Sequence, residues 1–155
     1  MAMELQPLIL GLKDLDHILE YENQELQKTV QESMEREMAS WHARWRKEAL
    51  EHYLPLGWSF GIWETPNENP KLHGYFLAQP LLFVRGLTQS LWLEHLSFQS
   101  EDVGKQLVDI AYRYSREKHL QSLLMPKGEW TGLLPDKAKV DDWDEEYCQV
   151  KTAKF

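Results

Sequence analysis

The stretch from Ser90 to Pro126 limits the fold more than any other: SLWLEHLSFQSEDVGKQLVDIAYRYSREKHLQSLLMP. It reads strand, short turn, amphipathic helix, strand. Residues Ser90 to Phe98 predict the first strand. Ser100 is a good helix N-cap, and the acids Glu101 and Asp102 suit the positive end of the helix dipole. Val103, Leu107, Ile110, Ala111 and Tyr114 recur at helical spacing, and Lys118 and His119 close the helix where cations are favoured. The apolar run Gln121 to Met125, stopped by Pro126, predicts a second strand. A strand joined to another through a crossover helix is a βαβ unit, so these two strands should run parallel. Any ligand is expected where the first strand gives way to the helix.

The rest of the chain predicts mixed elements around this unit. Leu12 to about Tyr53 is a long helical region. One stripe in it is Leu12, Leu15, Leu19, Glu22, Leu26 and Val30, with Glu22 as its single polar member. A second stripe is Met34, Met38, Trp41, Trp45 and Ala49. A bend is expected within Gln31 to Glu37. Pro55 and Gly57 end the region. TPNENPK (Thr65 to Lys71) is a turn between strands. Pro80 inside a strand-like run implies an edge, a bulge or a break, and Arg85 to Thr88 is the next hairpin turn. One short helix is expected near Asp136 to Trp143, and EEYCQVKTAKF reads as a final strand.

At 155 residues the chain is expected to form a single domain, 1–155. The net charge of −8 argues against a nucleic-acid partner, which needs a basic face for phosphates. An acidic surface keeps a protein soluble and also suits a basic acceptor. No segment reaches the run of about 18 apolar residues expected of a membrane span, and the start MAMELQPLILGL does not read as a signal peptide. With Cys148 as the one cysteine, no internal disulfide forms, and a reduced, cytoplasmic setting is expected. The six histidines show no metal-ligand spacing, so no metal is expected. Trp41, Trp45, Trp58, Trp63 and Trp92 lie in elements able to surround an acceptor pocket; core packing accounts for any one of them as well.

The βαβ unit resembles the core of the GNAT superfamily of N-acyltransferases. GWSFGIWE (Gly57 to Glu64) and HGYFLAQPLLFV (His73 to Val84) are similar to its central antiparallel strands. LQPLIL (Leu5 to Leu10) and LKDLDHILEYENQEL are similar to its first strand and helix. The resemblance implies an α+β fold, a mixed and mainly antiparallel sheet flanked by helices. It implies acyl transfer from acetyl-CoA or another acyl-CoA to a small-molecule or peptide amine, with a homodimer as an allowed assembly. A non-catalytic interaction module that has lost its coenzyme A site is the alternative.

The family's phosphate-binding loop has the form [Q/R]-x-x-G-x-[G/A] and uses N–H groups at a helix start. Without a gap, Gln99 takes its first position, Asp102 replaces the middle glycine and Gly104 takes the last. With a gap, Val103, Gly104 and Lys105 match the helix start and the preceding loop is shortened. Either way Glu101 and Asp102 stand where a pyrophosphate would rest and repel it. The resemblance implies that Leu96, Phe98, Gln99, Val103, Gly104 and Lys105 hold coenzyme A. It also implies that Glu94, on the strand before the helix, deprotonates the amine. Alternation puts Glu94 on the face of Trp92 and Leu96, opposite Leu91, Leu93 and His95; His95 is a less favoured candidate base and reads first as a packed core residue. Many members protonate the leaving thiolate with a tyrosine on a late helix. That helix has none here, and Tyr147 is the nearest phenol.

Overall fold

A computed structural model of the chain describes residues 5–30, 32–81, 89–128, 132–134 and 138–152. The elements in chain order are β1 (Leu5–Ile9), α1 (Leu15–Thr29), α2 (Ser33–Trp41), α3 (Lys47–Tyr53), β2 (Phe60–Glu64), β3 (Lys71–Leu81), β4 (Ser90–Phe98), α4 (Glu101–Glu117), β5 (Ser122–Pro126), β6 (Val140–Asp142) and β7 (Tyr147–Lys151). The strands form one sheet in the order β1-β2-β3-β4-β5-β7-β6. Among the described residues only β4 and β5 pair in parallel; the other neighbours are antiparallel. The α+β architecture and the single parallel pair expected from the sequence are therefore observed.

Two apolar layers cover the sheet. On one face α4 packs Val103, Leu107, Val108 and Ala111 against Ile62, Phe76, Leu91, Leu93, Leu123 and Val150. The Ser100 hydroxyl caps this helix by accepting from the Val103 N–H at 3.3 Å. On the other face α1 and α3 pack Ile18, Tyr21, Ala49, Leu50 and Tyr53 against Trp63, Leu72, Tyr75 and Leu77. Pro80 is tolerated because β3 pairs with β2 only as far as Phe76; beyond that its outer edge carries no β2 partner.

Two expectations change. The second helical stripe is cut, because the chain leaves the helix at His42 and re-enters at Lys47. Trp45 and Ala49 are buried, whereas Met34, Met38 and Trp41 stay more than half exposed on α2. Of the helix expected near Asp136 to Trp143, residues 138–143 are described, and there Val140–Asp142 form strand β6, held by antiparallel pairing to β7. The hairpin turn at Arg85 to Thr88 lies outside the described residues.

Candidate functional site

β4 and β5 pair over three positions, Ser90 with Ser122, Leu91 with Leu123 and Trp92 with Leu124. β5 then continues alongside β7 to Pro126, and β4 continues alongside β3 to Phe98. The sheet therefore opens between β4 and β5 after Trp92. At that point β4 carries a bulge: Leu77 faces His95 and Ala78 faces Leu93, which leaves Glu94 as the extra residue. The bulge resets the alternation of the strand. Glu94 shares the α1–α3 face with Trp92, as alternation predicts. His95 joins them there and meets Glu22 of α1, whereas Leu96 turns to the α4 side. The faces predicted for His95 and Leu96 are thus exchanged, because strict period-2 alternation fails across an inserted residue.

Glu94 sits in a dense network. Its Oε2 accepts from Trp92 Nε1 at 2.9 Å and from the Tyr53 hydroxyl at 3.1 Å. Its main-chain carbonyl accepts from the Tyr147 hydroxyl and from Arg44 Nη1, both at 3.3 Å. Arg44 also donates to the Tyr147 oxygen and, through Nη2, to Glu146 Oε2 at 2.6 Å. The Tyr147 ring stacks on Trp92 with centroids 4.1 Å apart, and the Arg44 guanidinium lies 5.0 Å from the centre of the same ring. Burial pushes the Tyr147 phenol up to about 12; the Glu94 carboxylate adds to this and Arg44 opposes it. Burial, with help from Glu94, also raises Tyr53, so its hydroxyl stays a donor at neutral pH. The structure brings Glu94 and Tyr147 together where β4 and β5 separate. Sequence reasoning missed Arg44, Tyr53 and Glu146. Their only trace is a cation and two polar residues in segments whose position over β4 is set by the tertiary fold.

The residues expected from the sequence to hold coenzyme A fall at the far end of β4. Leu96 and Phe98 point toward α4, and the Phe98 ring lies on Gly104 so closely that a Cβ there would stand 2.8–2.9 Å from it. That contact accounts for a glycine inside the helix. Val103 and Gly104 are buried in the first turn, and Lys105 is exposed. Gln99 turns away, its Nε2 donating to Glu25 of α1 at 3.0 Å. Only Gln99 and Ser100 separate β4 from α4. Glu101 and Asp102 are exposed in the first helical turn, and Ser100 takes one of its N–H groups.

Neither a protein-family model nor a curated protein matches the sequence. Solved structures do match in fold. The PaiA N-acetyltransferase of Thermoplasma acidophilum in complex with coenzyme A superposes with a TM-score of 0.67 at 15% identity, over 97% of this chain and 99% of that one. A GNAT-family acetyltransferase of Listeria monocytogenes gives 0.61 at 10% identity, over 96% and 94% of the two chains. This chain has the GNAT fold. NAA60 of Arabidopsis thaliana in complex with acetyl-CoA also shares it, with a TM-score of 0.56 at 10% identity over 96% and 97% of the chains.

Within this GNAT fold the residues at hand fit the two parts of a coenzyme A molecule unequally. Past Trp92 β4 has no β5 partner; the Glu94 carbonyl is taken by Tyr147 and Arg44, and the strand beyond it suits an amide-bearing arm laid alongside. The phosphate end is poorer: a two-residue connection, a capped first turn and two carboxylates. Among the described residues no cluster of His, Cys, Asp and Glu is placed to hold a metal ion, and no helix is long and apolar enough to cross a membrane.

Proposed function

We propose that this GNAT-fold chain is an acyl-CoA-dependent N-acyltransferase acting on a small-molecule or peptide amine. The observation that carries the reading is the bulge at Glu94. There the Glu94 carboxylate, and the Tyr147 phenol bonded to the Glu94 main-chain carbonyl, stand beside the point where β4 and β5 part. Solved neighbours in complex with coenzyme A and acetyl-CoA support the choice of donor. Leu96 and Phe98, through their backbone, and Gln99, Val103, Gly104 and Lys105, around the start of α4, would hold the coenzyme. The thioester would lie in the opening. Glu94, fixed by Trp92 and Tyr53, would receive the amine nitrogen and take a proton as the N–C bond forms. As the C–S bond breaks with its electron pair on sulfur, Tyr147 would give its proton to the thiolate, and Arg44 would steady the phenolate left behind. Titration calorimetry with acetyl-CoA, followed by an assay of thiol release with a panel of amines, tests this. Micromolar binding and amine-dependent thiol release are expected.

A second reading is an interaction module without a coenzyme site. The short β4–α4 connection, with Glu101 and Asp102 at the helix start, favours it. No heat with acetyl-CoA or coenzyme A at millimolar concentration would select that reading.

A further inference from the structure

Glu22 is the polar member of the α1 stripe, and it is buried, with 5% of its surface exposed. An apolar side chain would continue the stripe, and a carboxylate is costly to bury unless it is bonded. Its Oε1 accepts from the buried Tyr75 hydroxyl at 2.9 Å and meets His95 Nε2 at 3.2 Å. A carboxylate only accepts, so Nε2 carries the proton and Nδ1 of a neutral ring keeps its lone pair. Nδ1 has no hydrogen-bond partner among the described residues. His95 keeps about a fifth of its side chain exposed. The bulge sets it on the same face as Glu94, its neighbour in the chain. The titratable groups against the imidazole are Glu22 of α1 and Tyr75 of β3, with Tyr21 on the Tyr75 ring and Glu94 next in the strand. Burial and Glu22 hold the Tyr75 phenol well above its ordinary value, so neither it nor the raised Tyr21 competes as a base at neutral pH.

An alkylammonium loses two protons from nitrogen when it becomes an amide, and Glu94 accounts for one. We propose that His95, oriented by Glu22, takes the other. This deepens the acyltransferase reading and rests on it. The arriving ammonium gives one proton to Nδ1, forming an imidazolium beside the Glu22 carboxylate. The neutral amine then forms the N–C bond and the C–S bond breaks. The second nitrogen proton passes to Glu94 and replaces the one that Tyr147 gives to sulfur. His95 returns its proton to water.

The test uses the full chain with acetyl-CoA and two acceptors: benzylamine, charged at pH 7, and aniline, uncharged there. His95→Gln should lower kcat/KM for benzylamine about 10²-fold at pH 7. The loss should shrink about tenfold per pH unit toward alkaline pH, as free amine becomes available. Aniline turnover should hardly change. Glu22→Gln should act in the same direction and more weakly. Equal losses with both amines, or a benzylamine pH profile unchanged from the wild type, would overturn the proposal and leave the acyltransferase reading standing. Absence of thiol release with any form, together with no acetyl-CoA binding, would remove that reading and the proposal with it. Long-range 1H–15N spectra of the imidazole supply a check independent of turnover. The Nε2–H tautomer is expected, and an Nδ1–H tautomer overturns the assignment.

Discussion

The two ends of the free half of β4 are built on opposite principles. At the bulge, Glu94 is surrounded by donors from three separate elements: Tyr53 from α3, Trp92 from its own strand, and Tyr147 from β7, with Arg44 joining from the α2–α3 connection. At the strand end, a ring packs on a glycine, a serine caps the helix, and two acids face water. The first is a polar cluster whose members are bonded to one another. The second is a well-made helix start. Features that stabilise a helix N-terminus, an N-cap and acids, are the features that oppose an anion there. A strand–helix junction optimised for folding is thereby a weaker phosphate site.

The largest effect is expected at the bulge. Glu94→Gln should reduce acyl transfer at neutral pH by roughly 10²-fold and leave the circular dichroism spectrum unchanged; an active variant indifferent to the change would remove the carboxylate from the chemistry. Next, the tight packing behind the junction should show as stability. A Cβ at Gly74 would stand 2.7 Å from Val103 Cγ1 and 2.9 Å from the Ser97 carbonyl oxygen, and that backbone atom has no room to yield. Gly74→Ala should therefore cost about 3 kcal/mol by urea denaturation; a neutral result would show that β3 and the start of α4 are not locked together.

The junction itself is sharpened by replacing Glu101 and Asp102 with glycine or lysine. Coenzyme A affinity should rise by about 1–3 kcal/mol, less in high salt, while the helix loses about 0.3–1 kcal/mol per acid. Unchanged affinity would place the ligand's phosphates away from this turn. The smallest effect is alkaline. The folded chain keeps the Tyr147 proton up to about 12, whereas the unfolded phenol ionises near its ordinary value of 10. The stability this supplies is complete below the unfolded value and is lost as pH rises through the folded one. Tyr147→Phe should flatten that decline in urea midpoints, and an unaltered slope would mean that the phenol is not held from solvent.

Much of the architecture was legible. The capping serine, the acids after it and the apolar spacing of Val103, Leu107 and Ala111 identify α4, and two apolar runs flanking it force the parallel pair. The bulge was harder to see. Its one signature is the polar pair Glu94–His95 in a strand that otherwise alternates, and alternation alone assigns the second of them to the wrong face. Continuous spacing across His42 to Arg46 hid the break between α2 and α3, because periodicity does not register a turn that happens to preserve it. β6 is legible only through its partner: VDD has little strand preference, and β7 supplies its pairing. Glu94 and Tyr147 could be named singly, but their meeting depends on the β5–β7 register, which no local pattern encodes.

The narrow joint between β4 and β5 has a mechanical consequence. Three backbone-paired positions, the crossover helix and the Trp92–Tyr147–Arg44 cluster connect a four-strand piece, β1 to β4, with a three-strand piece, β5 to β7. Backbone pairing within each piece is antiparallel, whereas the joint must wait for α4 to close a long loop. The backbone pairing between the two pieces is thus short. A molecule laid against β4 there would serve as the strand that the polypeptide omits, and its binding would be felt as cohesion between the two halves of the sheet.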